Sequence, residues 1–165
     1  MSGKKQYSSC DVPTTPGKKP LNRNKMYPFQ DGFRWKGVRV ENYKADGNDW
    51  SDIIRQVLIG PERESAKFHM RYFELAPGGF SSYETHNHEH VVIGVRGKGN
   101  ARLNRRNIEI KFLDVLYVRP NSPHRFLNPY DEPFGFFCIV NAERDRPRPV
   151  RIKKGGRNGR YHVKN

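Results

Sequence analysis

Short apolar runs broken by turn-forming residues are what most constrain the fold of this chain. Runs over 53–59, 66–75, 91–96, 101–103, 108–111, 115–118, 124–127 and 134–140 are rich in aliphatic and aromatic residues, which suit a pleated, half-buried surface. Gly60-Pro61, Pro77-Gly78-Gly79, Gly97-Lys98-Gly99-Asn100 and Pro120-Asn121 lie between runs, and each is a turn signal. Within 66–75, Phe68, Met70 and Tyr72 fall on one face of a strand. His69, Arg71, Phe73 and Leu75 fall on the other. There is no long helical period and no internal repeat. About nine short strands joined by tight turns form a sandwich or a barrel, so an all-β domain is predicted over 53–141.

The flanks differ in charge. The net charge is +14, a value that by itself suggests a polyanion partner. Residues 1–40 hold nine Lys/Arg against two acids, residues 143–165 hold the same, and 41–142 hold thirteen of each. The basicity therefore sits at the two ends, and nucleic-acid binding by the folded domain is not expected. Residues 1–27 are predicted as a flexible basic leader and 142–165 as a basic tail. Residues 28–52, with Phe33, Trp35, Tyr43 and Trp50, are predicted to lie across the outside of the domain or against a second subunit. No run reaches transmembrane length and no signal peptide is expected. Of the two cysteines, Cys10 falls in the leader and Cys138 in an apolar strand. They are not expected to pair, which suggests a reducing, cytoplasmic setting.

Chemistry concentrates at 84–90. Glu84, His86, His88 and His90 are spaced by two, so a regular strand would project all four to one face. Imidazole nitrogens and a carboxylate converging this way suit a divalent transition ion: Mn or Fe first, then Zn or Ni. His124, in a second run after Pro120, is the distant partner.

These residues resemble the cupin family. Its first motif is written G-x5-H-x-H-x3,4-E-x6-G, and Gly78, Glu84, His86, His90 and Gly97 reproduce that spacing. Its second motif is matched by Pro120, His124 and Asn128. Glu84 stands where the first histidine is usual and His90 where the glutamate is usual. The resemblance implies a jelly-roll barrel holding an ion through Glu84, His86, His90 and His124. In cupins a turn follows the second histidine and would rotate His88 away; on a straight strand His88 competes for the site.

Further stretches at 71–79 and 133–147 are similar to small single-domain cupins that include a Mn-dependent cupin of methionine salvage. That resemblance implies release of a methylthio group from 1-methylthioxylulose 5-phosphate, in a homodimer. Cys138, if it faces the cavity, is the candidate acceptor, and Arg71 or Arg125 is the candidate phosphate ligand. Arg125 neighbours His124 and on a regular strand points outward, which favours Arg71. A cupin dioxygenase and a non-catalytic sugar-binding cupin are the alternatives.

Overall fold

The structure is a computed structural model that describes residues 23–44, 49–60, 64–144 and 147–150. Cys10 and most of the leader lie outside the described residues. The strands in chain order are β1 (Phe29–Gln30), β2 (Arg34–Trp35), β3 (Glu41–Asn42), β4 (Ser51–Ile59), β5 (Phe68–Phe80), β6 (Glu84–Thr85) and β7 (His90–Arg96). They continue with β8 (Gly99–Leu103), β9 (Arg106–Ile110), β10 (Val115–Val118), β11 (His124–Leu127), β12 (Phe134–Asn141) and β13 (Arg148–Pro149). No helix forms among the described residues, so none is available to cross a membrane.

Eleven of these strands form one antiparallel sheet that curls into a barrel, with the main path β10-β7-β12-β5-β11-β6-β13. The alternation in β5 makes its inner face: Arg71, Phe73 and Leu75 are buried, opposite Cys138, Phe136 and Phe134 of β12. Phe73, Leu75, Val92, Phe126, Phe134 and Phe136 belong to a single core cluster. Each fully buried phenylalanine there stabilises the fold by roughly 1.5–3 kcal/mol.

Pro77-Gly78-Gly79 does not end the strand as a turn. β5 continues through it to Phe80, bending so that it leaves β12 and meets β11, where Phe80 faces Leu127. Gly78 supplies the bend with φ of +78°, which side chains disfavour. A Cβ on Gly79 would lie 2.7 Å from the Asp52 carbonyl. The bend carries the chain from the core half of the barrel to the histidine-bearing half.

The aromatic segment divides into two roles. Phe33 stacks on Tyr72 at 5.8 Å, and Trp35 lies 5.1 Å from Tyr72 and 5.7 Å from Phe137. These rings cover the outer face of β5 and β12. Tyr43 does not: it is buried in the core cluster, edge-on to Phe73 at 5.9 Å. The strand β3 pairs with β4, and this pairing carries the next residues inward. The chain after β12 also returns. Arg148 pairs with Thr85 and Pro149 with Glu84, while the Val150 amide donates to the Tyr83 carbonyl at 3.0 Å.

Candidate metal centre

The stretch at 84–90 is not a straight strand. β6 covers only Glu84–Thr85, an irregular loop spans 86–89, and β7 opens at His90. The loop is held by Asn121, whose amide donates to the His86 carbonyl at 2.7 Å. Asn121 has φ of +59°, a conformation asparagine tolerates better than most residues. His124 reaches the same place from β11, directly opposite Glu84 of β6.

His86, His90 and His124 are all buried, and one ring nitrogen from each lies within 4.8 Å of the others. Three imidazole nitrogens this close are compatible with a single divalent ion. The His86 and His90 rings are nearly parallel at 4.3 Å. The His124 ring stands at 77° to the first and 70° to the second.

The tautomers follow from the outer hydrogen bonds. His86 Nδ1 lies 2.8 Å from the His88 carbonyl, and His124 Nδ1 lies 2.8 Å from the Ser122 carbonyl. A carbonyl only accepts, so both Nδ1 atoms carry the proton and Nε2 is the nitrogen of each ring that could serve as a ligand. His90 Nε2 is buried and makes no hydrogen bond. Burial first, then the charges of His124 and Arg71, holds His90 well below its ordinary value, so the ring is neutral and able to ligate near neutral pH. A buried imidazole nitrogen with no hydrogen bond, in a group of three histidines whose ring nitrogens lie within 4.8 Å of one another, fits a divalent ion.

The other expected residues fall into three groups. Glu84 is buried on the same cavity wall, but its carboxylate lies 2.5 Å from Lys44 Nζ. His88 is buried and stacks on His86 at 3.8 Å, outside the group of three. Cys138 and Arg71 line the same cavity as the three histidines, where Cys138 Sγ lies 3.2 Å from His90 Nδ1 and accepts from Arg71 Nη2 at 3.3 Å. That cavity is small, about 30 Å³. Arg125 instead donates to the Ser81 carbonyl and lies over Phe80. Sequence reasoning missed Lys44, Ser82 and the inward position of Tyr43. Nothing in the local pattern of Asn42-Tyr43-Lys44 marks them, because their partners lie some forty residues away.

A curled antiparallel barrel with three convergent histidines at its mouth defines a small β-barrel protein whose site is compatible with a divalent metal. Comparison with known proteins agrees. A family model described as Cupin domain matches residues 71–140. A curated relative from Rhodospirillum rubrum, named 1-methylthio-D-xylulose 5-phosphate methylsulfurylase, is 40% identical over 121 residues. The match covers 73% of this chain and 76% of the relative. The crystal structure of a cupin-2 domain from Rhodospirillum rubrum is 37% identical with a TM-score of 0.67, covering 76% of this chain and 84% of that one. The structure of a cupin 2 conserved barrel domain protein from Rhodopseudomonas palustris is 32% identical with a TM-score of 0.70, covering 76% and 86%. The chain belongs to the cupin family.

Proposed function

We propose that this protein is a metal-dependent enzyme that removes a methylthio group from a phosphorylated ketose, 1-methylthioxylulose 5-phosphate or a close analogue, and passes it to a thiol. The observation that carries the reading is a thiol, Cys138, set between a ligand-competent histidine and a buried guanidinium on the wall of the metal-capable cavity. The 40% identical relative bears the name of this activity.

Held by His86, His90 and His124, a divalent ion, Mn or Fe by preference, supplies a Lewis acid for the ketone oxygen. The residues of the chain supply the rest. With Nε2 of His90 committed to a ligand, its proton resides on Nδ1 and is donated to Cys138 Sγ. The sulfur then receives two donors, Nδ1–H and Arg71 Nη2–H, and both favour the nucleophilic thiolate. Cys138 attacks the sulfur of the substrate's thioether. The bond from that sulfur to the sugar's terminal carbon breaks and its electron pair stays on the carbon, which takes from solvent a proton equivalent to the one the Cys138 thiol gave up to solvent. Cys138 is left as a methyl disulfide. A second thiol attacks that disulfide, carries off the methylthio group and restores the cysteine.

The test supplies purified protein with Mn²⁺, the methylthio ketose phosphate and a small thiol. Formation of the deoxyketose phosphate with a mixed methyl disulfide is the expected result. Cys138→Ser should lower turnover by more than about a hundredfold. Full turnover by the serine variant removes the thiol-transfer step, and oxygen consumption without methylthio release overturns the reading in favour of a dioxygenase.

A further inference from the structure

Lys44 lies outside the 71–140 span that defines the family, yet it reaches the metal-capable cavity. Its side chain is 9% exposed and that of Glu84 7%. Nζ donates to Glu84 Oε1 at 2.5 Å and to Ser82 Oγ at 2.6 Å. Asp49, at 3.9 Å and half exposed, is a second and more remote acid. Both atoms that Lys44 holds belong to residues lining the cavity, and Glu84 is the one carboxylate among the lining residues. Glu84 also sits opposite His124 in the β6–β11 pairing. The one carboxylate on the cavity wall, opposite His124 in register, is therefore neutralised by a lysine delivered from another element.

We propose that Lys44 is a positioning residue that withholds the Glu84 carboxylate from the ion bound by His86, His90 and His124. It thereby leaves a coordination position open for substrate. The proposal rests on the metal-binding reading above. Its physical basis is competition for one buried charge. A carboxylate removed from water needs a compensating cation, and the ammonium of Lys44 and a dication on the histidines compete for that place. While Lys44 is present, the carboxylate is held by a short charge-assisted bond. With Lys44 made neutral, that competitor is gone, and the carboxylate turns to the dication as a ligand. A three-histidine site with open positions then becomes a four-ligand site, one position more closed.

Cobalt(II) is the probe, because its visible spectrum reports ligand number and its affinity can be measured against a chelator. Lys44→Met is expected to lower the cobalt dissociation constant by about tenfold or more, as an uncompensated buried charge implies. It should also change the visible band in the direction of higher coordination. Lys44→Arg keeps a cation and should retain the wild-type spectrum. Glu84→Gln in the presence of Lys44 should leave affinity within about threefold of wild type. The double variant K44M/E84Q should lose the gain made by K44M, which a merely structural role for Lys44 does not predict. The proposal is overturned if K44M matches wild type in affinity and spectrum. It is equally overturned if E84Q alone weakens binding more than about tenfold, since the carboxylate is then already a ligand. Wild-type protein that binds no cobalt would remove the metal reading and this inference together, whereas normal wild-type binding with an inert K44M removes the inference alone.

Discussion

Acidification should destabilise this barrel through His69, and the size of the effect can be worked out. His69 is buried on the inner face of β5, two residues from Arg71. Arg144 Nη1 donates to its Nδ1 at 2.8 Å, so the native ring must be neutral. Burial first, then the charges of Arg144 and Arg71, lowers its value from 6.5 to about 4, with Glu64 opposing weakly. Between these limits the unfolded chain binds a proton that the folded one refuses. Stability therefore rises with pH through this window and is lost as pH falls from about 6.5 towards about 4. At about 1.4 kcal/mol per unit, the drop between about pH 7.5 and about pH 4.5 amounts to about 2.5 kcal/mol from this one residue. Urea unfolding of wild type and His69→Gln across that range isolates the term, because every other titrating group is common to both. The wild-type unfolding free energy should fall more steeply, by about 2.5 kcal/mol over the range. Parallel pH dependences in the two proteins would refute the argument.

Two further outcomes can be checked directly. His124→Ala is expected to lose cobalt or manganese affinity by more than about a hundredfold, whereas His88→Ala should stay within about threefold. His88 lies outside the converging group, and it is its backbone carbonyl, not its ring, that orients His86; equilibrium dialysis with elemental analysis distinguishes the two results. Gly99→Ala should cost about 2 kcal/mol or more by overpacking, because the added Cβ would fall 2.1 Å from Cδ1 of the fully buried Phe134. Thermal unfolding measures it, and an unchanged midpoint would show that the Phe134 ring can move aside.

Much of this protein is written in local pattern. Alternation along 66–75 did not say which face turns inward, but it put His69, Arg71, Phe73 and Leu75 on a common face, and all four are buried. That follows because a strand's period of two is a property of the backbone alone. The all-β architecture was legible for the same reason, from many short apolar runs ending in turn residues. The spacing marked Glu84, His86 and His90, with His124 in a later run; of these four, the three histidines converge. Pattern reports which side of a strand a residue occupies, but not what packs against it. It could not show that Pro77-Gly78-Gly79 bends β5 without ending it, since glycine and proline serve equally in a turn and in a kink. Two-residue strands such as Arg148–Pro149 have no period to read, so their return to β6 was invisible. Lys44 and Glu84, forty residues apart, are joined only by the pairing of β3 with β4 and by the curl of the sheet. The strands and the histidines therefore belong to the sequence. Whether Glu84 is offered to an ion or held by a lysine is decided by the tertiary structure, because a buried charge takes whichever partner the fold brings within reach.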